Sequence, residues 1–325
     1  MGSSFPLFPE QASTFAGRVD AIYFFLVAVS GFFSLLIFGA VIYFAIKYHH
    51  RAGEEHAPAL VNDNLALEIA WTVVPLALTM IMFVWGAKVY FSMSRPPNDS
   101  LEIFVVGRQW MWKFQHPDGQ REINELHVPL GQPVKLVIAS EDVIHSFYVP
   151  AFRVKQDAVP GRYTTVWFEA TKTGRFHMFC AEYCGTQHSG MIGRIVVLEP
   201  VRYAAWLSGD TAVPGAAMAA STLARAEGSV ADRGHRLFQQ LGCASCHLPD
   251  RQGIGPLLNG VFGNPVRLQD GRTTVADESY IRESILQPQT KITAGFQALM
   301  PAFQGRVNEE ELMQLLAYIK SLKKG

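Results

Sequence analysis

The sequence predicts a multidomain chain: a two-helix transmembrane hairpin, then an all-β domain of Greek-key type, then an all-α domain. Three observations predict it. Two long apolar runs, 21–46 and 69–90, lie near the N-terminus. Between residues 101 and 199, short β-rich runs alternate with Gly and Pro turn signals. From residue 228 onward, helical periodicity returns around a Cys-x2-Cys-His sequence. The expected divisions are 1–98 for the hairpin, with helices over about 21–48 and 67–93, then 99–200, a linker over 201–227, and 228–325.

Each apolar run exceeds the roughly 20 residues needed to span a bilayer. The first carries no charge, and the second only Lys88 near its end. Trp71, Trp85 and Tyr90 fall where interfacial aromatics are expected. A cleaved signal peptide fits the first run poorly. It starts late, Arg18 is the single basic residue before it, and it is longer than a usual signal core. Lys47, His49, His50 and Arg51 between the runs favour a cytoplasmic loop, which puts both chain ends outside. Glu68 opens the second run. A carboxylate there reads either as a functional group at the membrane edge or as an acid favoured by the helix dipole, and the residues leave both readings open.

In the middle domain, runs at 101–106, 134–139, 163–168, 174–179 and 192–198 read as strands. Trp110, Trp112 and Phe114 alternate with Met111 and Lys113, which predicts both tryptophans on one face of one strand. His116-Pro117-Asp118-Gly119 is a turn signal. Many short strands with such turns predict a sandwich or barrel.

Between the last two runs lies Cys180-Ala-Glu-Tyr-Cys184-Gly-Thr-Gln-His188-Ser-Gly-Met191. A mononuclear blue-copper site takes two His, one Cys and a weak axial Met. This loop has a second Cys, and two thiolates can each bridge two ions, so the set points to two coppers. It lacks a second His, for which His145 is the best candidate. Zinc prefers Cys and His without Met. His116, His127 and His177 read as surface or packing histidines.

In the last domain, Cys243-Ala-Ser-Cys246-His247 is a c-type haem attachment sequence, in which both thiols add to the haem and the His binds iron. A sixth ligand must come from further on. No His follows, and of the two later methionines Met313 reads as an ordinary residue of a final helix over 309–322 that Asn308 and Glu311 cap. Met300 lies in a loop, and His/Met ligation raises haem potential. The Gly-rich stretch 253–263 is expected to wrap the haem edge. A disulfide framework would not need the metal and haem ligands beside each Cys pair.

With these motifs in place, the chain resembles subunit II of haem-copper cytochrome c oxidases with a cytochrome c domain fused at the C-terminus, the caa type. The resemblance implies a cupredoxin-like middle domain and a class I cytochrome c domain. It implies a binuclear CuA centre held by His145, Cys180, Glu182, Cys184, His188 and Met191. Glu182 would give its backbone carbonyl to copper and its carboxylate to a magnesium ion shared with subunit I. Gln109-Trp110-Met111-Trp112 resembles the family's aromatic segment, which makes Trp110 the electron entry point. Glu68 matches a carboxylate at the entrance of a proton channel. Residues 156–162 resemble a segment near the copper site, without a ligand role. The implied activity is that of a proton-pumping cytochrome c oxidase. Electrons would enter at haem c, pass to CuA and go on to subunit I, where oxygen is reduced to water. This chain lacks the His-rich helices for that last step and is not catalytic alone. The implied partners are subunits I and III, membrane lipid, and a soluble or membrane cytochrome c or a bc-type complex as donor. The implied location is a bacterial plasma membrane, with both redox domains on the outer side.

Formal net charge is zero, so nucleic-acid binding has no electrostatic support. Two rivals share some motifs. A copper-containing nitric oxide reductase small subunit would place iron in the partner's active site. A membrane-anchored copper-delivery protein needs no haem. A quinol oxidase subunit would lack the copper ligands.

Overall fold

The computed structural model describes residues 8–49, 63–209, 228–248 and 252–322. It divides into two compact units, Phe15–Arg95 and the remainder, Met1–Thr14 with Pro96–Gly325.

The first unit is a helical pair, α1 (Ala16–Lys47) and α2 (Leu65–Ser94), each longer than the expected span. Their apolar windows have mean hydropathy 2.5 and 2.0, and both are long enough to cross a membrane. The helices touch through Phe25 and Trp85, whose rings lie 5.4 Å apart. Most other apolar side chains face outward, as Leu35 (74% exposed) and Phe83 (69%) do, which suits lipid rather than water. Asn64 caps α2 by accepting from the Leu67 N–H at 3.1 Å, and Glu68 stands in the first turn, where the helix dipole favours an acid. Of the basic cluster between the runs, His50 and Arg51 lie outside the described residues.

The second unit begins with a correction. Residues 12–14 do not belong with the hairpin. Ala12 N–H donates to Ala151 and Thr14 N–H to Glu169, which lays this segment along the β domain. That domain is a sandwich of two five-stranded sheets. One has the order β3-β2-β1-β5-β8, from Arg121–Ile123, Met111–Gln115, Leu101–Arg108, Pro133–Ser140 and Thr164–Glu169. The other has the order β4-β10-β9-β6-β7, from Glu125–Pro129, Ile192–Leu198, Gly174–Cys180, His145–Val149 and Val154–Ala158. The β1–β5 and β4–β10 pairs are parallel, the rest antiparallel. Trp112, Phe114 and Phe147 fill the space between the sheets, each under 2% exposed. Burying side chains of this size contributes roughly 1.5–3 kcal/mol each.

Within the expected linker, the sequence Tyr203–Leu207 also reads as a short helix, and the structure extends it and packs it on the sandwich. Helix α3 (Pro200–Ser208) buries Tyr203 and Trp206 against the sandwich, and Gly209 ends it in the left-handed conformation. The remaining expected linker, 210–227, lies outside the described residues.

The last domain contains α4 (Val230–Gln240), α5 (Glu278–Leu286) and α6 (Glu309–Ser321). Ser229/Asp232 and Asn308/Glu311 form capping boxes at α4 and α6. The domain is not purely helical, because β11 (Pro265–Arg267) and β12 (Thr273–Val275) form a small hairpin. Helices α4 and α6 cross closely at Gly234, where any Cβ would collide with the Gln314 carbonyl.

This domain sits on the outer face of the β1/β5 sheet. Phe104, Val106, Val137, Ala139 and Tyr163 of the sandwich join Val230, Leu312, Met313 and Leu316 in one apolar cluster. Around it lies a square of charges. Lys135 meets Glu102 at 3.0 Å and Glu278 at 3.1 Å, and Lys320 meets Glu102 at 2.7 Å and Glu278 at 2.9 Å. Burial opposes ionisation of Glu278, but Lys320 and Lys135 outweigh it and bring its carboxyl down to about 2. A carboxyl depressed on folding stabilises above its unfolded value near 4.5 and loses that contribution as pH falls toward about 2. The Glu278→Gln variant is therefore expected to show a flatter loss of stability between about pH 4.5 and 2 than wild type. Acid unfolding followed by far-UV circular dichroism checks this, and an unchanged slope counts against it.

Candidate functional site

Cys180 closes β9, and Ile192 opens β10. The loop between them is pinned at its base, because Cys180 N–H donates to Met191 at 3.1 Å and Ala181 N–H to Ser146 at 2.9 Å. A short 3-10 turn at His188–Gly190 then swings Met191 back under the loop, where it is 1% exposed. His145 arrives on β6, fully buried, at the start of the strand that pairs with β9.

These elements bring the six expected copper residues together. Cys180 Sγ lies 3.8 Å from Cys184 Sγ, 3.9 Å from His145 Nδ1 and 3.2 Å from the Glu182 carbonyl oxygen. Cys184 Sγ lies 3.4 Å from His188 Nδ1 and 3.8 Å from Met191 Sδ. The two histidines thus flank different sulfurs. At metal–thiolate bonds of about 2.3 Å, two sulfurs that share a tetrahedral ion lie just under about 4 Å apart. Six donors, the two thiols included, exceed the four that a single tetrahedral zinc takes. The donor set fits a pair of soft-liganded ions such as copper. Glu182 itself is exposed, so its carboxylate is open to a neighbour.

Protons on this cluster are unevenly held. Burial disfavours both thiolates. For Cys180, contacts to His145, to backbone groups of Glu182 and Ser146, and to Cys184 overcome it and lower the thiol to about 6. For Cys184, burial and the adjacent Cys180 push the thiol up to about 12. Behind the ligands, Asp142 Oδ1 lies 2.7 Å from His145 Nε2, which leaves Nδ1 facing the sulfurs. Asp142 Oδ2 accepts from the Gln109 N–H at 2.8 Å.

Trp110 is placed differently from the expectation. Strand β2 starts at Met111, and Gln109–Trp110 form the turn from β1. Trp112 goes into the core and meets His145 edge-on at 5.9 Å. Trp110 stays partly exposed, and its indole N–H donates to the Cys184 carbonyl at 3.2 Å, beside Gln109 Nε2 at 2.8 Å. The alternation failed because a two-residue reversal broke the strand between the two rings.

The second site is a cavity of about 680 Å³ in the last domain, within the usual range for bound small molecules. Cys243, Cys246, His247 and Met300 all line it, with Leu315 and Ile319 of α6 and mostly apolar neighbours. His247 Nδ1 donates to the Pro256 carbonyl at 2.8 Å, so Nε2 keeps its lone pair for a ligand role. Gly255 lies flat on that ring, and a Cβ there would stand 2.8 Å from His247 Cε1. Ile254, Gly255, Pro256 and Leu257 of the Gly-rich stretch line the wall. Two thiols, an oriented imidazole, a thioether and an apolar volume fit a covalently attached haem. Met313 is fully buried among helix residues, as expected.

One cluster was not anticipated. Glu122 is 4% exposed and lies between two buried histidines, 2.7 Å from His116 Nε2 and 2.6 Å from His127 Nδ1. Trp206 of α3 stacks on His127 at 4.5 Å, and Tyr203 OH reaches His116 at 3.3 Å. His116 and His127 are thus packed rather than surface histidines, and both also pair with a buried carboxylate. Burial opposes ionisation of Glu122, but both imidazoles overcome it and lower its carboxyl. Glu122→Leu is expected to destabilise the sandwich by about 1–3 kcal/mol for each ring, because two buried imidazoles lose their hydrogen-bond partner. Urea unfolding followed by tryptophan fluorescence measures this, and a shift below about 1 kcal/mol would refute it.

Comparison with known proteins gives the family. Residues 120–199 match the profile described as "Cytochrome C oxidase subunit II, periplasmic domain", and residues 231–323 match "Cytochrome c". A cytochrome c oxidase subunit 2 of Alkalihalophilus pseudofirmus is 31% identical over 306 residues, 91% of this chain and 85% of the relative. One from Thermostichus vulcanus is 31% identical over 266 residues, 66% of this chain and 81% of that protein. Among solved structures, the periplasmic domain of cytochrome oxidase subunit II from Bradyrhizobium japonicum is 35% identical. It covers 35% of this chain and 96% of its own, with TM-score 0.34. A membrane protein with a periplasmic domain follows, with copper implied by the first profile and haem by the second. The chain belongs to the cytochrome c oxidase subunit 2 family, as a subunit II of a haem-copper oxidase that carries its own cytochrome c domain.

Proposed function

We propose that this chain is the electron-entry subunit of a proton-pumping terminal oxidase, taking electrons at haem c and delivering them through a binuclear CuA centre to subunit I. The observation that carries the reading is the cluster of His145, Cys180, the Glu182 carbonyl, Cys184, His188 and Met191 around one pair of sulfurs. When bound, the copper pair and the haem supply one-electron carriers that change charge without changing bonds. His145, Cys180, the Glu182 carbonyl, Cys184, His188 and Met191 would hold the copper pair. Cys243 and Cys246 would hold the haem, with His247 and Met300 on its iron.

The chain's own residues keep these groups still. Burial of His145, Cys184 and Met191 excludes water, and Asp142 holds the His145 ring. Pro256 fixes His247 in the same way. Trp110, donating to the Cys184 carbonyl, stands at the entry side. The exposed Glu182 would offer its carboxylate to magnesium shared with subunit I. Glu68 would stand at the mouth of the proton channel, with both redox domains outside and the membrane crossed twice. Subunit III and a cytochrome c or bc-type complex complete the proposed set of partners.

Purification from membrane with its partners tests this. Two coppers in this subunit, one covalent haem, and copper beside haem in the partner's active site are the expected result. Iron in place of that partner copper would favour the nitric oxide reductase reading. A preparation without haem would favour copper delivery.

A further inference from the structure

The haem domain is joined to the sandwich by residues 210–227, but it is also held by three sets of contacts. The first is the apolar cluster, in which Phe104, Val106, Val137 and Ala139 lose exposure on the sheet face that would otherwise meet water. The second is the β2–β3 turn. Pro117 accepts from the Val230 N–H at 2.9 Å, and Gly119 accepts from Arg233 Nη1 at 3.2 Å, so the turn grips the start of α4. The third is ionic. Arg282, 8% exposed, donates to the Gly161 carbonyl at 2.7 Å, lies over the Tyr163 ring and pairs with Glu309. Lys113 pairs with Glu310 at 3.0 Å.

The square of Glu102, Lys135, Glu278 and Lys320 adds direction. The sandwich contributes one acid and one base, and so does the haem domain. Each domain therefore presents no net charge at this point, and long-range attraction is small. Sliding or turning the domain brings like charges together, which costs several kcal/mol. Helix α6 carries Glu310 and Lys320 on this interface and Leu315 and Ile319 on the haem cavity, so the dock fixes the cavity wall directly.

We propose that the outer β1/β5 sheet face and the β2–β3 turn form a self-sufficient, register-specific binding surface for this chain's own haem domain, so that the domain is docked rather than merely tethered. The covalent link at 210–227 then raises local concentration without setting position.

The test uses the whole oxidase with a protease recognition sequence inserted in 210–227. After cleavage, the fragment is followed by its mass on size exclusion, so the result does not depend on haem loading or turnover. The expected result is that the cleaved fragment stays with the complex at low salt. The paired exchange Glu102→Lys with Lys135→Glu keeps each domain's own ion pair but sets like charges across the interface. It is expected to weaken retention by about a hundredfold or more. Adding Glu278→Lys with Lys320→Glu restores the pattern and should restore retention, which also shows that the exchanged domains fold. Loss of the wild-type fragment on cleavage overturns the proposal. So does retention that ignores the first exchange, or that fails to return with the second.

Discussion

Cys184→Ser is expected to abolish the two-copper absorption and to lower donor-driven oxygen uptake by more than about 100-fold. Losing a partner behind a ligand typically costs 10–100-fold, and losing a bridging ligand costs more. Cys184 is the hub of the cluster, because Cys180, His188 and Met191 all contact its sulfur. A serine hydroxyl is shorter and harder, and it serves soft copper poorly. Metal analysis with visible and electron-paramagnetic-resonance spectra of the purified complex decides this. A variant that keeps two coppers and near-normal uptake would remove Cys184 from the bridging role. Met191→Leu offers a graded comparison. It removes a buried thioether that is proposed as a weak copper donor, and should leave the copper pair assembled with a shifted potential.

Deleting residues 226–325 is expected to make respiration depend on added cytochrome c. An attached module works at an effective concentration far above that of a free carrier, so uptake driven by NADH in membranes should fall by about 10²–10⁴-fold. Added cytochrome c at high concentration should recover part of it. The dock adds a second consequence. Truncation uncovers Phe104, Val106, Val137, Ala139 and Tyr163 together on one sheet face. Contiguous apolar surface of that kind promotes association, so the truncated subunit should bind a hydrophobic dye and aggregate. Unchanged electron input after truncation would sink the relay reading, and a clean, dye-silent truncated protein would argue against the buried seam.

The ligand loop was readable because its chemistry is local. Cys180, Cys184, His188 and Met191 reach one centre within a single turn of chain between two strands. The haem site was readable for a similar reason, since His247 follows the two thiols directly. His145, named from the sequence as the missing ligand, reaches Cys180 because β6 pairs with β9. Trp110 was misplaced because periodicity assumes an unbroken strand.

Of the surface and packing readings for His116 and His127, packing holds, but their partner Glu122 on β3 went unseen, because no pattern of spacing announces a buried carboxylate between two rings. The dock was signalled, though faintly. Phe104 and Val106 lie among consecutive buried residues of β1, as Val137 and Ala139 do on β5. A strand apolar at every position is covered on both faces. The sandwich core accounts for one face, and the haem domain for the other.

Asp142 is a shared node. One oxygen holds His145 and the other holds the backbone that carries Trp110. A partner that presses on the Trp110 turn would therefore pull on the same carboxylate that sets the basicity of a proposed copper ligand. In circuit language, the proposed terminal for arriving charge and a proposed ligand of the metal are wired to one post.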